Sequence, residues 1–192
     1  MRVITQQTEV FKFEELEDSV KTKVIDKFRD FNLDHTWWEF CEENIKNDLE
    51  KIGLRLDKAY FSGFCSQGDG ACLEVTLMDY EKLIPKLKER GVPMREIVLA
   101  RKLGLSFDTK HSGHYYHENS LRYNIDADYY PHKRHEKTWN DLEDTVKELV
   151  QDLSRDYYRT LEKEYEYLTS DEMIKESLEA NEYEFKKDGS IF

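Results

Sequence analysis

Apolar positions along the chain repeat with a few distinct periods. Over residues 14–32, Leu16, Val20, Val24, Phe28 and Phe31 recur three to four apart with Lys and Arg between them, which predicts an amphipathic helix. Residues 10–13 ahead of it read as a short strand. His35-Thr36-Trp37-Trp38 opens a second helix, capped by Asp34 or Thr36 and ended by Gly53 after Leu49 and Ile52. β-rich runs at 54–64 and 71–77 then flank the polar turn Ser66-Gln67-Gly68-Asp69-Gly70. A third helix starts at Asp79-Tyr80-Glu81, with Leu83, Ile84 and Leu87 inward and Pro85 in its first turns, where proline is tolerated. Gly91-Val92-Pro93 breaks it before a short fourth helix over 94–102. Strands at 105–110 and 120–128 follow, joined by a loop over 111–119.

The strongest period covers 139–168. Leu142, Val146, Leu149, Leu153, Tyr157, Leu161, Tyr165 and Leu168 fall three to four apart, which predicts one helix roughly 45 Å long. Thr169-Ser170-Asp171-Glu172 carries a capping-box pattern for a short helix to Ala180. Glu182-Tyr183-Glu184-Phe185 alternates like a strand, and Lys186-Lys187-Asp188-Gly189 turns it. The expected fold class is α+β: an antiparallel sheet built from hairpins, packed against several helices, with a long C-terminal amphipathic helix. The expected division is a core of two hairpins over 1–138 and, over 139–192, a long acidic helix, a short helix and a terminal strand packed on that core as one domain.

Composition sharpens this picture. Charged residues make up 36% of the chain and hydrophobic ones only 39%, but 12 Tyr, 10 Phe and 3 Trp supply enough large side chains for a core. No apolar run approaches the length of a membrane span, and the first seven residues lack a signal peptide's apolar segment. With three cysteines, an odd number, the expected setting is a reducing cytoplasm, although Cys65 and Cys72 flank the turn and could be cross-strand neighbours.

The net charge of −12 is unevenly placed. Residues 139–182 hold 14 acidic and 5 basic side chains, a net of −9, while 81–137 hold 8 acidic and 12 basic, a net of +4. An acidic whole repels nucleic acid at long range and favours basic protein surfaces. Glu143, Asp144 and Glu148 stand for that acidic helix as candidate binding residues. The same residues also read as a solvated helix face.

The Ser66–Gly70 turn holds two further readings. Glycines on either side of an aspartate suit a hairpin, and a row of backbone N–H groups beside a carboxylate also suits a ligand pocket. Gln67, Gly68, Asp69 and Gly70 are the candidates. In the loop over 111–119, Tyr115, Tyr116 and His117, with Arg122 and Arg134, offer stacking rings and donors to a nucleotide-like ligand; they equally suit the second hairpin of an aromatic-rich sheet. His111, His114, His117, His132 and His135 are dense, but residues three apart on a strand face opposite ways, and no metal site is assigned. Trp37 and Trp38 point roughly 100° apart on a helix, so one can be buried while the other sits at a rim; core packing is the expectation, and an exposed Trp would suit an interface anchor. Asp69 with Glu74, or His117 with Glu118, supplies acid–base pairs of a kind any chain this charged contains. No nucleophile elbow, Walker loop, dinucleotide fingerprint or C-x-x-C pair occurs, and no catalytic residue or cofactor is assigned.

Several of these stretches together resemble a family of small proteins encoded by phages and prophages. They are 16–32, Trp37-Trp38-Glu39, Phe61-Ser62-Gly63-Phe64-Cys65-Ser66-Gln67-Gly68-Asp69-Gly70-Ala71, Gly113-His114-Tyr115-Tyr116-His117-Glu118-Asn119-Ser120 and Ala180-Asn181-Glu182-Tyr183-Glu184-Phe185. The resemblance covers nearly the whole chain, and Ser-Gln-Gly-Asp-Gly-Ala is its most specific part. Some such proteins carry the label of antitoxin of a toxin–antitoxin stability system. The resemblance implies a phage accessory protein in the cytoplasm of a bacterial host. It would bind and inhibit a host defence effector or toxin, in an anti-CRISPR-like or antitoxin-like manner. A sponge that sequesters a nucleotide signal is the alternative, drawing on the turn, the basic segment 82–102 and the aromatic hairpin; an enzyme comes third.

Overall fold

A computed structural model describes residues 1–4, 7–33, 36–129 and 131–192. In chain order the elements are β1 (Phe11–Lys12), α1 (Asp18–Lys27), α2 (Glu39–Lys51), β2 (Leu54–Phe61), β3 (Ala71–Leu77), α3 (Tyr80–Glu89), α4 (Met94–Leu103), β4 (Leu105–His111), β5 (Leu121–Ala127), α5 (Glu136–Leu168), α6 (Asp171–Ala180) and β6 (Glu184–Phe185). The fold is therefore α+β, with hairpin-built antiparallel sheets and a long C-terminal helix. The backbone divides into two compact units, one of residues 38–162 and one of residues 1–37 with 163–192.

Within 38–162, β2, β3, β4 and β5 form one antiparallel sheet in that order. Alternation sets its faces. Leu73 and Val75 share one face and Cys72, Glu74 and Thr76 the other, with Tyr60 across from Cys72; Cys72 is as fully buried as Leu73 and Val75. A bulge between Leu56 and Lys58 shifts the β2–β3 register. The β3–β4 ladder is unusual because side chains stand in for backbone. Thr109 Oγ1 accepts the Val75 N–H at 2.9 Å and donates to the Leu73 carbonyl at 3.0 Å. The Glu74 carboxylate takes the His111 N–H at 2.9 Å. Burial pushes the Glu74 carboxyl up, but the His111 amide and Lys110 outweigh it and hold the group below its ordinary range.

The helices of this unit follow their sequence signals. Asp79 caps α3 by accepting from Glu81 and Lys82, and Gly104 ends α4 in the left-handed region. Up to residue 162, α5 buries Leu142, Val146, Leu149, Val150, Tyr157 and Leu161 as one seam, as its period predicts.

In the other unit, β1 pairs antiparallel with β6, so the two ends of the chain share a sheet. Phe13, Leu16, Val24, Ile174, Leu178 and Phe185 form its core, with Phe28 and Tyr183 packed against it. Ser170 caps α6 by accepting from Met173 N.

Four expectations need correction. The helix over 14–32 is broken: Phe13–Glu15 is a 3-10 turn, Leu16 is extended at φ −72° and ψ 153°, and α1 ends at Lys27. That extended step lets both Phe13 and Leu16 enter the core. The second strand ends at Phe61, three residues before 64, so the turn widens to a nine-residue loop over 62–70. Trp37 and Trp38 precede α2, and both are half-buried against ring partners, Tyr165 at 6.1 Å and Phe61 at 5.6 Å respectively. Trp38 itself, rather than Thr36, occupies the cap position of α2; Asp34 and His35 lie outside the described residues. All three cysteines are thiols. Burial, with Glu74 adding to it, pushes Cys72 up to about 12.

Candidate functional site

The loop over 62–70 is closed by its own groups. Ser62 N–H donates to the Gly70 carbonyl at 3.0 Å, and Gly70 N–H returns to Ser62 Oγ at 3.1 Å. Asp69 Oδ2 accepts from the amides of Cys65 and Ser66 at 2.9 and 2.7 Å, and Asp69 N–H donates to the Ser66 carbonyl. Gly68 supplies the positive φ, at +104°. Gly70 is a glycine for a different reason: a Cβ there would stand 2.9 Å from the Tyr116 carbonyl oxygen. Five amides, of Ser62, Cys65, Ser66, Asp69 and Gly70, thus bond within the loop itself. Gln67 is exposed at its tip.

The loop over 112–120 lies against this one. Ser112 N–H donates to the Ser120 carbonyl, and Ser120 N–H to the His117 carbonyl, both at 2.7 Å. Tyr116 stacks on Tyr60, with centroids 5.1 Å apart and planes 17° apart, and Lys58 Nζ sits 4.5 Å from the Tyr60 centroid. Tyr115 remains 62% exposed. Nδ1 of His117 is 2.8 Å from Glu118 Oε2 and 3.3 Å from the Asn119 amide.

Helix α5 brings the third wall. Arg155, Tyr158, Arg159 and Glu162 share one helix face by their spacing. Gln151 donates to Asn119 Oδ1 at 3.1 Å and Arg155 reaches Glu118 at 3.4 Å, which ties the loop to that face. Between them lies a cleft of about 280 Å³, with Asp69 and Gly70 from one loop, His117 and Glu118 from the other, and the four α5 residues opposite. Two stretches singled out in the sequence therefore meet in one place.

Charges in the cleft are unequally committed. Arg155 pairs with both Asp152 and Glu118, and Asp152 also binds Arg90. Burial pushes Asp152 up, but the hydrogen bonds from Arg90 and Arg155 hold it below its ordinary range; the bond to Asp152 in turn raises Arg155. Arg159 pairs with Asp156 at 3.3 Å. Among the described residues, Glu162 and the second oxygen of Asp69 have no hydrogen-bond or ion-pair partner. Tyr158 donates to the Gly63 carbonyl at 3.2 Å and packs on Phe64 at 5.4 Å, so its ring is held in place. Burial raises its phenol, and Glu162 and Asp69 raise it further.

The acidic face is only partly as expected. Asp144 and Glu148 are exposed and lie on the same face of α5 as the cleft residues, with Asp141 beside them. Glu143 does not: it is half-buried and accepts the Trp139 indole N–H. The basic segment over 82–102 also lies apart from the cleft. Its Lys86 and Arg90 line a neighbouring hollow of about 220 Å³, which shares Arg155 and Arg159. Sequence reading missed Arg155, Tyr158, Arg159 and Glu162 as site residues; their spacing along a helix that also carries the acidic face was the available signal.

The arrangement offers recognition through a fixed ring, an imidazole and carboxylates. Among the described residues, no group of three His, Cys, Asp or Glu side chains could hold a metal ion, and no helix is long and apolar enough to cross a membrane. Asp69 and Glu74 are each engaged with separate partners rather than with one another.

Residues 37–171 match the model of a domain of unknown function, DUF8835, so the chain belongs to that family. No curated protein and no solved structure matches the chain significantly.

Proposed function

We propose that this member of the DUF8835 family acts by binding a protein with a basic surface, and that it is a phage accessory protein inhibiting a bacterial defence effector or toxin in the host cytoplasm. One observation carries the reading. A single face of α5 presents exposed Asp141, Asp144 and Glu148 and continues into the cleft at Arg155, Tyr158 and Glu162, over roughly 30 Å of helix. Such a face steers a basic surface towards the cleft, and the exposed Tyr115, whose ring lies against Gly68 of the loop over 62–70, stands as an aromatic anchor. The phage assignment rests on the resemblance of the Ser-Gln-Gly-Asp-Gly-Ala and Gly-His-Tyr-Tyr-His-Glu-Asn stretches. Affinity capture from bacterial lysate across a salt series, with mass spectrometry of what is retained, tests it. The expected result is a basic host protein lost as salt rises; recovery of no host protein at any salt concentration overturns the reading.

A nucleotide sponge is the second reading, favoured by two arginines, a histidine and a tyrosine lining one cleft. A rise in melting temperature with cyclic or linear nucleotides would support it, and flat curves across the panel would remove it.

A further inference from the structure

We infer that the cleft between the loop over 62–70, the loop over 112–120 and α5 is a receptor for one arginine or lysine side chain of the partner protein. This rests on the binding reading above and names what enters the cleft.

Size comes first. At about 280 Å³ the cleft falls just below the range of pockets for drug-sized ligands, which suits a single long side chain better than a whole nucleotide. Its charges point the same way. Both arginines are already neutralised, Arg155 by Asp152 and Glu118 and Arg159 by Asp156. Among the described residues, Glu162 and Asp69 Oδ1 are not. A cation entering here finds open acceptors, whereas an anion meets arginines whose charge is already shared with Asp152, Glu118 and Asp156. The Tyr158 phenol, raised by burial first and then by Glu162 and Asp69, reports the two carboxylates beside it.

Geometry adds a surface to lie on. The Tyr158 ring is held at its hydroxyl by Gly63 and packs on Phe64, so it stands as an ordered wall beside both carboxylates, along which the apolar stem of the side chain can lie. Outside the cleft, Asp144 and Glu148 extend the negative face along α5 and give a basic partner its approach.

Defined probes test this without the partner. The full chain is titrated with capped arginine, capped glutamate, inorganic phosphate and AMP, following the His117 and Tyr158 ring signals by NMR. Capped arginine should shift both rings saturably, and Glu162→Gln should weaken it by roughly threefold to fivefold, as expected for removing one partly exposed ion pair. Asp69→Asn, which keeps an acceptor for the Cys65 and Ser66 amides, should weaken it to a similar degree with the loop intact. Glu50→Gln, at an exposed position of α2 outside the cleft, should leave the saturable shift in place. The inference is overturned if phosphate or AMP shifts these rings and arginine does not, or if Glu162→Gln and Asp69→Asn leave arginine binding unchanged. Lysate capture that survives both cleft variants but is lost on reversing Asp144 and Glu148 would discard the receptor and keep the binding reading. Loss of neither would count against both.

Discussion

Gly70 and Tyr116 meet so closely that a methyl group on the glycine would stand 2.9 Å from the tyrosine's carbonyl oxygen. The same methyl would lie 3.3 Å from the His117 Cα, so two backbone atoms of one loop block it. Gly70→Ala should therefore destabilise the protein by about 1–3 kcal/mol, the usual cost of overpacking, and displace the loop over 112–120. Urea denaturation with the Tyr116 and His117 NMR signals as local probes checks both parts. Unchanged stability and unchanged shifts would mean that the loops do not hold one another.

Thr109 replaces ladder bonds between β3 and β4 with its side chain. Thr109→Val keeps the shape but strands the Val75 N–H and the Leu73 carbonyl in a buried place, at a cost of about 1–3 kcal/mol. Thr109→Ser should recover most of it. Hydrogen exchange at the Val75 amide is the readout, with faster exchange expected in the valine variant alone.

Acid should weaken the sheet through Glu74. Its carboxyl is held below the ordinary value of 4.5 in the folded protein. A group depressed in this way contributes stability that is fully present above its unfolded pKa and is lost as pH falls through the lower folded value. Melting temperature should thus fall below about pH 4.5, and Glu74→Gln should flatten that part of the profile. An identical acid limb in the variant would exclude this cause.

Leu149 lies fully buried in the α5 seam, while Asp144 and Glu148 are exposed on the outer face. Leu149→Ala should cost about 2–5 kcal/mol, and Leu149→Asp more, because it buries a charge. Asp144→Lys with Glu148→Lys should change stability by less than about 0.5 kcal/mol. Thermal melts of the three variants separate the two faces of one helix.

How much of this was legible beforehand depends on the range of the signal. The α5 period, the two hairpins and the Asp79 cap rest on neighbours in sequence, and each was readable; the cap of α6 is Ser170, one residue beyond the Thr169 of the capping-box pattern. The break before α1 was not, because Leu16 is extended to bury its side chain beside Phe13 and Phe185, and no glycine or proline marks the place. Nor could the turn's chemistry be read. A row of amides near an aspartate looks the same in sequence whether it faces a ligand or, as here, is bonded by Asp69 itself. The cleft was half visible: Asp69, Gly70 and His117 stood out, but Arg155 and Glu162 join them only because Gln151 and Arg155 dock the loop on α5.

The central claim is that the outer face of α5 recognises a basic partner. Its most direct measurement is the affinity of a captured host protein for the wild type and for Asp144→Lys with Glu148→Lys, taken at low and high salt. Weaker binding in the variant, with the gap widest at low salt where charge is least screened, is the predicted result. Equal binding at every salt concentration, in a variant that melts like the wild type, would contradict it.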